Sequence, residues 1–468
     1  MIGMKKRFQS DLAKTMKYLK RNGFRDTFFA AVERLGARAN NHYSYVMPDD
    51  GELAKQRKET ADAEGWPSIT IVMPAYNPDE HFFREALGSV LRQSYPHWKL
   101  VIADASDSDN DIVRRWADKC TSEPRIRYVE LGSNMGISGN TNAGVEMALD
   151  DTTGGGCDYI GFMDHDDVLP PDALYHMAKT IVSRDNPMML YSDEDKLSED
   201  DRHVKSYFDP HRKYEFNFDL LMTNNYICHL MLVRKDMLKT IKFRPAYDGA
   251  QDYDLVLQLV ISLISDYGLQ PYELSDYIVH IPRVLYHWRS HRGSTAANTS
   301  SKEYAYEAGL KAVTDMVNTL CRRNMSTDSD YPRVSHSKHR GFYDVDWGVG
   351  DYKSFFALRP DVGAVIGRVL DSRGRMTECI ADKAGKWLYA GTPKNYAGEL
   401  NRFDCTQDVY MADIDHVTVR PELAELLSEA KATKAAKAGE DAGKADIDRA
   451  FAEELHRQGY LILYDPRA

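Results

Sequence analysis

The chain has 468 residues, 43% of them hydrophobic, and 60 Lys and Arg against 71 Asp and Glu leave a formal charge of −11. The net negative charge argues against a general nucleic-acid-binding protein, and the length predicts two or three domains. Six scattered cysteines without a Cys-x-x-Cys pair argue against a zinc site or a disulfide framework, which predicts a reduced chain in the cytoplasm.

Residues 1–40 differ from the acidic average, with ten Lys and Arg against three Asp and Glu. Their apolar residues recur at helical spacing: Phe8, Leu12, Met16, Leu19, Phe24, Phe28, Val32 and Leu35. This pattern predicts two short basic amphipathic helices, which form an N-terminal arm over residues 1–65. Such helices bind anionic membrane surfaces, which would place the chain at the inner face of the cell membrane. The alternative is an arm packed on the rest of the chain.

Neither a signal peptide nor a membrane span is predicted. The first 30 residues lack the apolar core of a signal peptide. The longest apolar run, Leu255 to Ile264, is about half of the ~20 residues that a span needs.

Residues 66–160 alternate short strands with helices. The predicted strands are 69–73, 99–103, 125–129 and 159–163, and the predicted helices are 85–91, 112–117 and 141–149. This alternation predicts a mostly parallel sheet, and such sheets bind ligands at the carboxyl ends of their strands. Polar residues follow each strand: Tyr76 and Asn77, Asp104 and Ser106, Asn134, and Asp164. Their positions predict a nucleotide site at this edge.

Three carboxylates, Asp164, Asp166 and Asp167, lie within four residues after the last of these strands. Like charges this close repel each other, so a cation is expected to stabilise them. Oxygen ligands suit Mg²⁺ or Mn²⁺, which keep several waters and bridge to substrate phosphates. Asp166 is the first candidate ligand, while Asp164 shares the metal or binds a ribose. The alternative is a solvated acidic turn.

The order and spacing of several motifs between residues 66 and 310 resemble those of family-2 glycosyltransferases. The motifs are Val72-Met73-Pro74-Ala75-Tyr76-Asn77, Ser89 to Pro96, Asp104-Ala105-Ser106, Asn134 to Asn142, Asp164-His165-Asp166-Asp167, Tyr191 to Asp195, Asp248 to Leu255, and Leu285 to Thr295. The later motifs are similar to those of rhamnosyltransferase-like enzymes that build bacterial surface polysaccharides. The resemblance implies an α/β chain of GT-A fold, with a mixed, mostly parallel sheet flanked by helices. It also implies a UDP- or dTDP-linked donor, Mg²⁺ or Mn²⁺, and inversion at the anomeric carbon.

The resemblance also implies which residues bind the nucleotide sugar. They are Pro74, Ala75, Tyr76, Asn77, Asp104, Ser106, Gly136, Asn142, Asp164 and Arg289. The chain departs from the family at Ala103-Asp104-Ala105-Ser106, where Asp-Asp-Gly-Ser is common. Asp104 is then the one acidic group left to accept the imide N–H of uracil or thymine.

The acceptor hydroxyl must lose a proton as it attacks the donor sugar, and Asp252 matches the residue that the family uses as general base. The usual Glu-Asp of this motif is Gln251-Asp252 here. Asp252 has an alternative as a helix N-cap, because an apolar helical run follows it. His287 either completes the metal shell or is structural beside Trp288. Arg289 or Arg292 is expected to reach the diphosphate.

The chain after residue 304 predicts a helix over 304–320 and then a separate unit. A strand is predicted within 341–347, followed by the segments 361–370, 446–448 and 459–466. Residues 428–445 are rich in Ala, Lys and Glu, which predicts a solvated helix or a mobile insertion. These segments resemble the later half of a second GT-A unit whose donor motifs are missing. The predicted division is therefore an arm (1–65), a catalytic domain (66–325) and an accessory domain (340–468).

The predicted function is metal-dependent, inverting transfer of a hexose-type sugar. The acceptor is a hydroxyl of a growing bacterial surface glycan or of its lipid-linked precursor. One alternative is a nucleotidyltransferase, which the Asp252 and His-Trp-Arg segments argue against. The other is a non-catalytic scaffold that binds nucleotide sugars for a polysaccharide assembly complex.

Overall fold

The structure is a computed structural model that describes residues 43–61, 64–150, 157–200, 203–290, 299–321, 332–436 and 441–468. The basic helices predicted within residues 1–40, and Arg292, lie outside these ranges. The described chain divides into two compact units: residues 43–217 with 225–323, and residues 218–224 with 324–468. Within the described ranges, no helix is long and apolar enough to cross a membrane.

The first unit is built around one sheet of eight strands. The strands are β1 Ile69–Ala75, β2 Trp98–Asp104, β3 Ile126–Glu130, β4 Tyr159–Phe162, β5 Met189–Glu199, β6 Lys205–His211, β7 Met231–Arg234 and β8 Ile278–Arg289. The helices are α1 Asp50–Ala61, α2 Glu80–Leu91, α3 Ile112–Lys119, α4 Gly136–Leu149, α5 Ala173–Ser183, α7 Gln251–Ser265, α8 Leu274–Tyr277 and α9 Thr299–Cys321; α6, Phe218–Leu221, belongs to the second unit. The strands predicted near 69–73, 99–103, 125–129 and 159–163, and the helix predicted over 304–320, are confirmed.

The strand order is β3-β2-β1-β4-β7-β5-β6, with β8 paired to β5. Strands β3, β2, β1 and β4 are mutually parallel, β7 is antiparallel to β4 and β5, and β8 runs parallel to β5. All seven residues of β1 are buried, because the apolar run Ile69–Met73 lies in the centre of the sheet with helices packed against it. The predicted α/β class with a mixed, mostly parallel sheet and flanking helices is confirmed.

The second unit has a four-stranded sheet and a core of its own. Its strands are β9 Arg333–His336, β10 Tyr343–Asp346, β11 Val362–Ile366, β12 Ile380–Ala381, β13 Gln407–Val409, β14 Met411–Ala412, β15 Thr418–Val419 and β16 Leu461–Tyr464. Its longer helices are α10 Tyr352–Leu358, α11 Ala424–Ala436 and α12 Asp441–Arg457. The four-stranded sheet has the order β13-β16-β11-β15. The strand predicted within 341–347 is confirmed by β10, and β11 and β16 lie within the segments 361–370 and 459–466. The three-part division of the chain stays a prediction.

Candidate active site

The carboxyl ends of β1 and β2 meet, as the strand pattern predicts. Ala75 is in register with Asp104, and the Ala105 N–H donates to the Ala75 carbonyl at 2.9 Å. The Asn77 N–H donates to Ser106 Oγ at 3.0 Å. The turn that holds Pro74, Ala75, Tyr76 and Asn77 therefore lies against the turn that holds Asp104 and Ser106, so these predicted donor-binding residues are neighbours.

Asp104 is 4% exposed and accepts two hydrogen bonds within the protein. Its Oδ1 accepts from the Ser106 N–H at 2.9 Å, and its Oδ2 accepts from the Tyr128 hydroxyl at 3.0 Å. A carboxylate oxygen has two lone pairs, so each oxygen keeps one acceptor site beyond these bonds. Asp104 thus retains the capacity to accept from a nucleobase.

The turn before helix α4 requires glycine at position 136. Gly136 has a φ of +77°, and a Cβ there would lie 2.9 Å from Asp248 Oδ2, so a larger residue would be strained and would clash. The Ser138 hydroxyl donates to the Asp248 carboxylate. This turn is therefore hydrogen-bonded to the loop that leads to Asp252.

Asn142 lies on the same helix but has a different environment from the one predicted. Its Nδ2 donates to the Phe243 carbonyl at 2.7 Å, and its Oδ1 accepts from the Phe243 N–H at 3.0 Å. Both ends of the amide are thereby engaged with the backbone. The structure uses Asn142 to fasten α4 to the chain before Asp252, and it does not support a nucleotide contact by this residue.

The three carboxylates after β4 form one cluster, in which ligand oxygens of Asp164, Asp166 and Asp167 lie within 4.8 Å of one another. Asp167 is 1% exposed and is held within the protein: its Oδ2 accepts from the Tyr286 hydroxyl at 2.5 Å, and its Oδ1 accepts from the Arg289 N–H at 2.6 Å. Asp164 is exposed and Asp166 is half-buried. Asp164 and Asp166 are therefore the two candidates for ligands.

The carboxylate oxygens of this cluster are ligands that suit a hard divalent cation. Desolvation by the surrounding protein atoms raises the pKa of Asp164, and the negative charge of Asp166 raises this pKa further. The cluster is therefore short of positive charge, which a cation with oxygen ligands would supply. The charge of Asp252 also raises the pKa of Asp164, so the predicted base lies close enough to the predicted metal site to interact with it.

Strand β8 holds the acidic turn in place. Val168 and His287 exchange two backbone hydrogen bonds, of 3.2 and 2.9 Å, and Arg289 Nε donates to the Asp166 carbonyl at 2.5 Å. The Arg289 side chain is 1% exposed, and its Nη2 donates to Glu85 at 2.7 Å. The predicted contact of Arg289 with the diphosphate is not supported, because the guanidinium is buried among protein partners. Arg289 instead positions the acidic turn.

His287 does not join the acidic cluster. Its Nδ1 lies 2.5 Å from Asp195 Oδ1, and its ring packs against the rings of Tyr45 and Tyr207, each at 4.5 Å. Successive side chains of a strand point to opposite faces, and Tyr286 is the neighbour whose hydroxyl reaches Asp167. The expectation that His287 completes the metal shell is therefore not supported, and the structural alternative fits its position.

Asp252 lies in the first turn of α7, where the helix dipole favours a carboxylate. Its Oδ2 accepts from Asn225 Nδ2 at 3.3 Å. The helix begins at Gln251 with Ala250 as its N-cap, so the alternative of Asp252 as N-cap is wrong. Asn225 orients the carboxylate, and sequence reasoning did not single it out.

Asp254, two residues further along α7, faces away from this site. It is fully buried, and Arg244 Nε donates to its Oδ2 at 2.9 Å. Positions two apart on a helix do not share a face, so Asp254 does not point to the same side of α7 as Asp252.

His229 is a further side chain of the site that the sequence analysis missed. Its Nδ1 lies 3.2 Å from Glu194 Oε2, and its ring stacks on Tyr286 at 4.8 Å and 17°. Burial disfavours the imidazolium, but Glu194, together with Asp164 and Asp252, outweighs burial and raises the pKa of His229 to about 9. A polar residue two positions before the buried strand β7 was the signal that could have indicated it.

The raised pKa of His229 predicts a pH-dependent stability of the metal-free chain. The folded value of about 9 lies above the ordinary 6.5, so the stabilisation is fully present below about pH 6.5 and is lost as the pH rises through 9. The shift corresponds to on the order of 3 kcal/mol, which the 28% exposure of the side chain reduces. Urea unfolding in EDTA at pH 6.5 and 9.5 measures it. His229→Gln should remove most of this pH dependence, and an equal dependence in both proteins would contradict the assignment.

Two curated relatives are similar to part of the chain. The uncharacterized protein y4gI of Sinorhizobium fredii is 36% identical over 248 residues, which cover 53% of this chain and 25% of the relative. The O-antigen biosynthesis protein RfbC of Myxococcus xanthus is 28% identical over 267 residues, which cover 57% of this chain and 19% of the relative. The chain thus spans a quarter or less of the length of these relatives. Among solved structures, S. aureus TarS 1–349 in complex with UDP is 16% identical with a TM-score of 0.39, over 53% of this chain and 65% of that one.

The sequence pattern of glycosyl transferase family 2 matches residues 70–242. This range contains the joined ends of β1 and β2, the turn at Gly136, the acidic cluster and His229. The resemblance seen in the sequence is therefore confirmed. Residues 70–242 of the chain therefore form a glycosyltransferase domain of family 2.

Proposed function

We propose that the chain is a metal-dependent, inverting glycosyltransferase. The observation that carries this proposal is the cluster of Asp164, Asp166 and Asp167, whose ligand oxygens lie within 4.8 Å of one another. A site for a cation and a carboxylate base, Asp252 in the first turn of α7, are the two parts that the reaction needs. The donor is a UDP- or dTDP-linked sugar, and the acceptor is a hydroxyl group.

Asp164 and Asp166 would hold Mg²⁺ or Mn²⁺, which when bound neutralises the charge that grows on the leaving diphosphate. Asp252 accepts the proton of the acceptor hydroxyl as that oxygen attacks the anomeric carbon. Attack from the face opposite to the leaving group inverts the configuration. Asn225 holds the Asp252 carboxylate in one orientation through its 3.3 Å hydrogen bond. The charges of Asp164 and Asp252 both raise the pKa of His229, so its imidazolium would add positive charge near these two carboxylates.

The remaining acceptor capacity of Asp104 supports a donor with a uracil or thymine base, since both present an imide N–H. The joined turns at Tyr76, Asn77 and Ser106 would contact the nucleoside, and Gly136 lets the backbone approach the donor. The name of the relative RfbC supports a growing bacterial surface glycan or its lipid-linked precursor as acceptor. Residues 340–468 are proposed to be an accessory domain without its own donor site; in the described ranges, the clusters able to hold a metal lie in the first unit.

The place of action proposed is the cytoplasmic face of the cell membrane. The support is the basic, amphipathic pattern of residues 1–40, since each Lys or Arg near an anionic leaflet contributes roughly 1 kcal/mol. Co-sedimentation with anionic vesicles, with and without residues 1–40, measures this contact.

Thermal unfolding with a panel of UDP- and dTDP-sugars tests the proposed function. A ligand that binds the folded state stabilises it, by about 2.7 kcal/mol at a concentration 100 times its Kd. The matching donor should stabilise the chain only when Mn²⁺ or Mg²⁺ is also present, and slow release of free UDP or dTDP should follow. Stabilisation without any release would favour the scaffold. Release of pyrophosphate from a nucleoside triphosphate would favour the nucleotidyltransferase.

A further inference from the structure

The side chain of an exposed tyrosine, Tyr304 of helix α9, packs against the loop that leads to Asp252. The side chain is 51% exposed, although its ring lies directly against Gly249. Gly249 has a φ of +92°, and a Cβ there would lie 2.4 Å from Tyr304 Cε2 and 2.6 Å from Cζ. The absence of a side chain at position 249 therefore lets the ring lie on the backbone three residues before Asp252.

The helix that carries Tyr304 is fixed against this loop. Tyr304, Lys311 and Asp315 are spaced i, i+7 and i+11, which places them on one face of α9. The Tyr247 hydroxyl donates to the Asp315 carboxylate, and the Lys311 ammonium lies 4.5 Å from the centre of the Tyr247 ring. The Arg244 guanidinium also lies over the Tyr247 ring, at 4.1 Å. Tyr304 therefore presents an aromatic ring to solvent from a helix that is held against the loop before Asp252.

The donor-binding turn and Tyr304 contact successive residues of the loop. Gly136 and Ser138 contact Asp248, whereas Tyr304 contacts Gly249. Asp248 therefore joins the turn of Gly136 and Ser138 to this loop. Tyr304 packs against the next residue of the loop, Gly249. The base at Asp252 must face the acceptor, because it removes the acceptor's proton.

We propose that Tyr304 forms an acceptor subsite that binds the apolar C–H face of a sugar ring. The inference rests on the proposed function, since it names the class of acceptor that the same cleft takes. An aromatic ring offers a large apolar area with little loss of rotamer freedom, and a saccharide offers a matching face of C–H groups beside its hydroxyls. Stacking on a ring held next to the base loop would orient one hydroxyl of the sugar toward Asp252.

The test separates the acceptor site from the donor site. The full chain is given its stabilising UDP- or dTDP-sugar with Mn²⁺ and a set of methyl glycosides of glucose, galactose, N-acetylglucosamine and rhamnose, and the ratio of sugar transfer to donor hydrolysis is measured. Tyr304→Ala should lower this ratio about tenfold, which corresponds to about 1.4 kcal/mol. Tyr304→Phe keeps the ring and should keep the ratio. Tyr267→Ala removes another exposed tyrosine, 45% exposed, outside the cleft residues and is the matched control.

A second measurement does not depend on turnover. Saturation-transfer NMR of the same glycosides, with UDP and Mn²⁺ present, should give a signal for the wild type and Tyr304→Phe and lose it in Tyr304→Ala. An unchanged ratio and signal in Tyr304→Ala would overturn the subsite, as would the absence of any glycoside signal in the wild type. An equal fall of hydrolysis and transfer in Tyr304→Ala would also overturn it, because the ring would then only support the loop. Failure of the proposed function is a different result: the wild type would neither bind nor hydrolyse any nucleotide sugar.

Discussion

Asp252→Asn is expected to slow sugar transfer by about 10² or more, which is the lower range of a general base's contribution. Asn keeps the size of the side chain and can still bond to Asn225 and to the Tyr253 N–H, which lies 2.9 Å from Asp252 Oδ1. It cannot accept the proton of the acceptor hydroxyl. Steady-state kinetics with a saturating nucleotide sugar measures the loss, and the metal-dependent thermal shift reports donor binding.

The expected pattern is a lower kcat with little change in donor affinity, because the base acts in the transition state. Asp266→Asn is a matched control, since it removes one negative charge at the other end of the same helix, where Asp266 accepts from Ser262 at 2.7 Å. Its transfer rate should match that of the wild type. If Asp252→Asn also transfers sugar at the wild-type rate, Asp252 has a structural role only. Asp254 is a poor substitute candidate, because it is fully buried and paired with Arg244.

Asp166→Ala is expected to abolish metal-dependent donor binding while the chain stays folded. The turn should survive, because Arg289 Nε bonds to the Asp166 main-chain carbonyl and Asp167 keeps both of its partners. Loss of an outer partner of a metal ligand commonly costs ~10–100-fold in metal affinity, and loss of a ligand itself should cost more. Calorimetric titration of Mn²⁺ into the chain with UDP measures this affinity.

Asp118→Ala is the control for this experiment, since Asp118 is an exposed carboxylate on α3 outside the acidic cluster. It should bind Mn²⁺ and UDP as the wild type does. Asp164→Ala, tested in parallel, separates a shared metal ligand from a ribose contact: the first would weaken Mn²⁺ binding, and the second would weaken only nucleoside-containing ligands. Unchanged Mn²⁺ affinity in Asp166→Ala would contradict the assignment of this residue.

The local pattern of the chain was enough to predict the catalytic half of the fold. The apolar run Ile69–Met73 predicted β1. The polar residues after β1 and β2 predicted the sheet edge at which the Asn77 N–H donates to Ser106 Oγ at 3.0 Å. These predictions succeeded because strand and helix periods are short, and because parallel strands must end at the same edge. The motif at Asp164–Asp167 also marked the turn where the carboxylates of Asp164, Asp166 and Asp167 meet.

The roles of the individual polar residues could be assigned only from the tertiary structure. Asp167 belongs to the same motif as Asp166, and His287 and Arg289 belong to a later motif, yet all three are buried and engaged with protein groups. The pairing of β8 with β5 includes register shifts, and a shift of one residue reverses which side chain faces the cleft. No local pattern reports such a register.

The sequence by itself determined the first four strands of the large sheet, the resemblance to the family, and the candidate carboxylates Asp166 and Asp252. Only the tertiary structure brought His229 within the influence of Asp164 and Asp252, brought Asn225 to Asp252, and packed the Tyr304 ring against Gly249. The physical reason is the range of the interactions involved. Periodicity and turn chemistry act within about ten residues, whereas Tyr304 and Gly249 come from separate segments whose contact exists only after helix α9 has packed against the loop before α7.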